Sequence, residues 1–199
     1  MTDSSLAINF NDKYEIVDRF NHWDPRNKRA SLLLGIAIIM IFVPLAIFLT
    51  FWILMTVGYY SQYMGLWFLI LAILLVIPMT FLHELIHFTF QWLFSKQRPE
   101  LGFKCPYPYC KLRPNSSISR NQGIFSALSP FLVMTPIFTI TIFFVNPIAQ
   151  VVLIIAICLE IPTFNGDFLF SYWLLKRPKD TRLAVVNFDA VLFKDKHNK

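Results

Sequence analysis

Apolar positions along the chain gather into four long blocks, Ser31–Val57, Leu66–Phe94, Ile124–Val145 and Pro147–Leu175. Each is longer than the roughly 20 residues a helix needs to cross the apolar core of a bilayer. The pattern predicts four transmembrane helices. The first block follows about 30 polar residues and exceeds the apolar core of about 7–15 residues typical of a cleavable signal. "GYYSQYM" after it offers no small-residue cleavage site, so it reads as a permanent anchor. Between the second and third blocks, "LGFKCPYPYCKL" places residues of good strand propensity around a Pro-Tyr-Pro turn. The expected fold class is an all-α membrane protein: four transmembrane helices over residues 31–175, with a short cytoplasmic β-hairpin or loop between the second and third. Residues 1–30 and 176–199 flank this domain as cytoplasmic segments. The tail sequence "RLAVVNFDAVLF" also has a strand-like composition, with no role attached to it.

Composition agrees with this picture. Hydrophobic residues make up 56% and charged residues 15%, which excludes an ordinary soluble domain. A net charge of +6 raises the question of nucleic acid, but the placement of the charge answers it. Of the 18 Lys and Arg, five lie in residues 1–30, six in 95–123 and seven in 176–199, and the short connections around Gly58–Gly65 and Asn146 carry none. That is the positive-inside distribution for four spans with both termini in the cytoplasm. The expected location is a prokaryotic plasma membrane, with the lipid bilayer itself as a partner and no nucleic acid. Cys105 and Cys110 fall in the predicted cytoplasmic loop, where a lasting disulfide is disfavoured. Without a second Cys pair, "CPYPYC" reads as a structural hairpin in preference to a metal clip. Cys158 reads as a small buried thiol in mid-helix.

Few ionisable residues interrupt the spans: His83, Glu84 and His87 in the second, Glu160 and Asp167 in the fourth. Such groups are costly in lipid and normally face the interior of a bundle with a partner. "FLHELIHF" carries His83-Glu84-x-x-His87, two histidines four apart on one helix face and so able to share a metal ion. Glu84 lies about 100° round the helix from His83, beside the metal, where it suits a base acting on a metal-activated water. A catalytic zinc takes three protein ligands and leaves a place for water. His87 is nine residues before Lys96 and Asp167 nine before Lys176, so both sit about 13.5 Å in from the cytoplasmic ends of parallel spans. Glu160 lies roughly 10 Å deeper if the fourth helix is regular. Asp167 is the better third ligand, with Glu160 the rival. Asn165-Gly166-Asp167 is expected to interrupt the fourth helix, and Pro78 and Pro162 to bend their helices next to the metal.

"FLHELIHF", "ALSPFLVMTP" and "PTFNGDFLFSYWLLKRPKD" together resemble a family of small bacterial and archaeal membrane proteins, the zincin peptidases, similar to the site-2 protease group of intramembrane metalloproteases. The resemblance covers residues from about 60 to 185. It implies His83 and His87 as zinc ligands, Glu84 as catalytic acid and base, and Asp167 as third ligand. Site-2 proteases carry their aspartate in an Asp-Gly pair, whereas the order here is Gly166-Asp167. The expected function is zinc-dependent hydrolysis of a peptide bond in or near the membrane, acting on a membrane protein or peptide. Asn165 is a candidate hydrogen-bond donor to the developing oxyanion, or equally a cap for the broken helix. The hairpin is a candidate for holding an unwound substrate by strand addition, or else an amphipathic loop on lipid heads. Two rival readings stay open, a non-catalytic metal-binding scaffold and a metal or proton transporter.

Overall fold

A computed structural model of the chain describes residues 14–21, 24–57, 64–104, 107–114, 116–186 and 189–195. Cys105, the connection at 58–63 and the outermost parts of both terminal segments lie outside the described residues.

In chain order the elements are β1 (Tyr14–Phe20), α1 (Pro25–Val57), α2 (Met64–Ser95), β2 (Glu100–Lys104), β3 (Tyr107–Lys111), β4 (Ile118–Ser119), α3 (Arg120–Phe144), α4 (Pro147–Glu160), a 3-10 turn (Ile161–Phe164), α5 (Asn165–Leu175), β5 (Arg182–Val186) and β6 (Asp189–Asp195). Four helical stretches are long and apolar enough to cross a membrane: Pro25–Ile53, Trp67–Ser95, Arg120–Phe144 and Pro147–Leu175. The last combines α4, the 3-10 turn and α5. Local signals set the helix ends. The Asp24 carboxylate accepts from the Arg26 amide at 2.8 Å, with Pro25 at the first helical position, so α1 begins earlier than its apolar block. Asn146 caps α4 in the same way, accepting from the Ala149 amide at 2.9 Å ahead of Pro147.

The chain divides into two compact units. The first comprises Met1–Lys28, Glu84–Ser129 and Asp167–Lys199. It holds a four-stranded antiparallel sheet, in the order β1-β6-β5-β4, and the two-stranded hairpin β2-β3. The hairpin matches expectation, pairing Leu101 with Cys110 and Phe103 with Pro108. The four-stranded sheet corrects the all-α class. Its strands come from both ends of the chain and, for β4, from its middle, and no local pattern announces such long-range pairing. In β1, "YEIVDRF", charged residues interleave with apolar ones because most of the strand is exposed at the sheet's edge. The sheet closes over a core of Phe20, Leu112, Ile118, Leu174, Leu183 and Leu192, with Phe170 and Trp173 packed against it. Asp18 of β1 accepts from the Trp173 indole at 2.9 Å and pairs with Arg177. Arg120 donates to the Arg177 carbonyl. These contacts pin the C-terminal end of α5, the helix whose first turn carries Asp167.

The second unit comprises Arg29–His83 and Pro130–Gly166 and is helical. Small buried residues, Ala46, Ala72 and Ala156, mark its core along with Phe68, Met79 and Val151. Small side chains let helices approach closely where lipid offers no hydrophobic drive to associate. The outer faces of α1 are exposed and apolar, from Leu32 and Leu33 through Met40 and Ile41 to Phe48 and Trp52. Pro44 and Pro78 lie inside continuous helices.

Candidate metal centre

His83 and His87 stand one turn apart on α2, both buried, with Glu84 between them and partly buried. The two imidazoles are oriented by different oxygens. His87 Nδ1 lies 2.9 Å from the Ser126 carbonyl oxygen. A carbonyl can only accept, so Nδ1 carries the proton and the neutral ring keeps its lone pair on Nε2. That nitrogen is 3.3 Å from Asp167 Oδ1.

The Ser126 oxygen is available because of the sequence four residues on. In a regular helix it would accept from the amide of residue 130, but Pro130 has no N–H. It takes the His87 ring instead, together with the Ser129 hydroxyl at 2.7 Å. "ALSP" acts through the hydrogen bond it withholds.

His83 is held on its other side by the interruption of the fourth span. Its ring stacks on Phe164 with centroids 5.0 Å apart and planes at 29°. Its Nδ1 lies 3.9 Å from Glu160 Oε1. The interruption falls earlier than expected. It is the 3-10 turn Ile161–Phe164 containing Pro162, which cannot donate to the Cys158 carbonyl as an α-helical residue would. Asn165 has helical backbone angles (φ −58°, ψ −40°) and starts α5, so Asn165-Gly166-Asp167 resumes the helix and does not break it.

Among the described residues, His83, His87 and Asp167 form a group able to hold a metal ion, each offering one ligand atom, all within 4.8 Å of one another. Two imidazoles and a carboxylate make a donor set that catalytic zinc accepts. A tetrahedral zinc with bonds of about 2.0–2.2 Å sets neighbouring ligand atoms about 3.3–3.6 Å apart. The 3.3 Å separation of His87 Nε2 and Asp167 Oδ1 meets this. The chemistry of the donor set and the spacing of this pair fit the ion.

Glu84, His87 and Asp167 line one cavity of about 330 Å³. Its polar lining also includes Gln91, and its apolar lining comes from Leu112, Ile118, Ala127, Leu183 and Val185. Pro108 to Lys111 bring strand β3 into the lining. Burial, and then the charge of Glu84, push the Cys110 thiol up to about 12, so it stays a neutral thiol, 3.6 Å from Gln91 Oε1. Cys110 sits on strand β3 of the hairpin, and Cys105, its partner in "CPYPYC", lies outside the described residues. Asn165 is buried, with its amide beside Gly35 of α1, where an added Cβ would lie 2.6 Å from Asn165 Nδ2. It is not among the residues that line the cavity.

A family model described as "Putative zincin peptidase" matches residues 76–182, more than half of the chain. The chain belongs to this family. The zincin peptidase match begins on α2 ahead of the two histidines and ends on β5, so it takes in every residue of the metal-binding group. Family membership and the donor set together point to zinc and to a metallopeptidase. No curated protein and no solved structure matches the chain. Ser126 escaped notice in the sequence because its backbone, not its side chain, makes the contact. The visible signal was Pro130 four residues later.

Proposed function

We propose that this zincin peptidase is a membrane-embedded zinc metalloprotease that hydrolyses a peptide bond in or near the bilayer, with Glu84 as general base. The observation that carries the reading is the cavity that Glu84 shares with His87 and Asp167. His83, His87 and Asp167 hold the ion, which when bound supplies Lewis acidity to a carbonyl and to water. Glu84 takes the proton from the attacking water and returns it to the leaving nitrogen. The apolar walls receive a substrate side chain and keep bulk water from the reacting bond. Strand β3 pairs with β2 along one edge, and a substrate segment added to it as a further strand would run beside Glu84. The segregation of Lys and Arg supports cytoplasmic termini and a cytoplasmic 95–123 loop.

Glu84→Gln keeps the size of the side chain and removes its capacity to take a proton. Zinc content is expected to stay near wild type, while cleavage of a membrane-derived peptide in liposomes falls by at least about 100-fold. Undiminished cleavage would remove Glu84 as the base. Loss of zinc along with activity would favour a structural role and a non-catalytic scaffold.

A further inference from the structure

Glu160 is almost fully buried inside an apolar helical unit, yet it is not in the metal-binding group. Its carboxyl oxygens lie near two hydroxyls, Thr80 Oγ1 at 3.3 Å from Oε2 and Thr163 Oγ1 at 3.2 Å from Oε1, each of which also makes a shorter bond to a backbone carbonyl, Val76 at 3.0 Å and Glu160 at 2.7 Å. The same Oε1 faces His83 Nδ1 at 3.9 Å. Four residues further on, Phe164 lies under the His83 ring and is itself met edge-on by Phe131, centroids 5.8 Å apart. Both side chains belong to the irregular segment around Pro162: Glu160 precedes the 3-10 turn and Phe164 ends it.

We propose that residues 160–164 form a cradle that positions His83 for the metal, with Glu160 as its polar arm, taking the Nδ1–H so that Nε2 is presented as ligand. The inference rests on the metal-centre reading above. The stack on Phe164 fixes the plane of the ring but not which edge faces Glu160, because a half-turn about Cβ–Cγ keeps the plane and exchanges Nδ1 with Cδ2. A hydrogen-bond acceptor on the Nδ1 side decides it. A carboxyl or carbonyl on the far nitrogen of a metal-bound histidine orients the ring and raises its basicity. For His87 the Ser126 carbonyl fills that place. On the His83 side the oxygen that faces Nδ1 is Glu160 Oε1, at 3.9 Å, longer than a hydrogen bond, and metal loading would have the carboxylate close that gap. Glu160 is a positioning residue: it acts on the ion through His83. This accounts for an acid in the fourth span that the coordination itself does not use.

The experiment measures zinc affinity by chelator competition on purified full-length protein, so it does not depend on cleavage. Glu160→Ala is expected to weaken zinc binding by about 10–100-fold. Glu160→Gln keeps an oxygen able to accept from Nδ1–H and is expected to stay within about threefold of wild type. In a His83→Ala background, Glu160→Ala should cause no further loss, because the residue it positions is gone. Cobalt absorption spectra should shift for Glu160→Ala and stay unchanged for Glu160→Gln.

Wild-type affinity in Glu160→Ala would overturn the proposal. So would equal losses for Gln and Ala, or a loss that persists in the His83→Ala background, which marks general damage to the fold. Loss of all tight binding in Glu160→Gln would make Glu160 a ligand, which also overturns it. Absence of tight zinc binding in the wild type would bring down the metal-centre reading itself, a result separate from the others.

Discussion

The two units of the chain differ in where they keep their apolar surface. The first buries a core of large side chains under its four-stranded sheet: Leu192 and Leu174 are fully enclosed, while Glu15 and Arg19 stand exposed on β1 beside Ile16 and Val17. The second turns its large apolar side chains outward: Met40 is 70% exposed, and most of α1 follows it. A water-soluble protein rarely exposes a contiguous apolar face of this extent. The difference says that one chain is written for two solvents. The four-stranded sheet encloses large apolar side chains, while the second unit keeps Ala46, Ala72 and Ala156 inside and turns large apolar ones outward, the arrangement that suits helices in lipid.

The comparison is sharpest at Leu192, where removing a fully buried side chain from β6 should cost about 2–5 kcal/mol. Leu192→Ala should speed proteolysis and hydrogen exchange in residues 182–195 while the protein still resists carbonate extraction from membranes. Release of the whole chain into the supernatant would show that the first unit has no core of its own. A smaller effect, about 2.5–3.5 kcal/mol of insertion free energy, is expected for Met40→Asp near the middle of α1. Ile16→Lys, on the exposed edge strand, should change stability by no more than about 0.5 kcal/mol. The two variants can be compared by membrane-fraction yield and by melting in detergent. Equal tolerance would mean that the exposed face of α1 does not meet lipid.

The smallest effect concerns pH and belongs to the first unit alone. Burial raises the Asp18 carboxyl, but hydrogen bonds from the Arg19 amide and the Trp173 indole, together with Arg177, outweigh it and hold the group below its usual value. A depressed carboxylate stabilises the fold at pH above its unfolded value of about 3.9, and that contribution is lost as pH falls through the lower folded value. Melting of the sheet between pH 5 and pH 3 should therefore steepen with acid in wild type and flatten in Asp18→Asn. A parallel response in both proteins would assign the acid sensitivity to other groups.

What the sequence disclosed follows the range of the interactions involved. The four spans were legible because a continuous apolar run is a local signal, and the hairpin because Pro-Tyr-Pro marks a turn. The association of Asp167 with the two histidines was legible through equal spacing from Lys96 and Lys176, which needs only helical rise. The four-stranded sheet was legible only in β5 and β6, through the strand-like composition of "RLAVVNFDAVLF". It joins residues 14–20 to 189–195, and a pairing across that separation leaves no mark on either segment alone. Glu160 was placed by assuming a regular helix through Pro162. The 3-10 turn removes that regularity, and the contact with His83 depends on side-chain directions that spacing does not carry.

The oxygen on which His87 leans is part of the main chain, and this governs what mutagenesis can see. No substitution at position 126 deletes a carbonyl, so a residue-by-residue scan would weigh Ser126 only by the size and polarity of its side chain. The sensitivity would surface at position 130, where every replacement by another standard amino acid, glycine included, adds an amide hydrogen. That hydrogen competes with the imidazole for one acceptor. Deep mutational maps of this family would then show a hot position with no contact to explain it and a silent one at the point of contact. The record of an atom's role is kept four residues away, in a hydrogen that proline does not have.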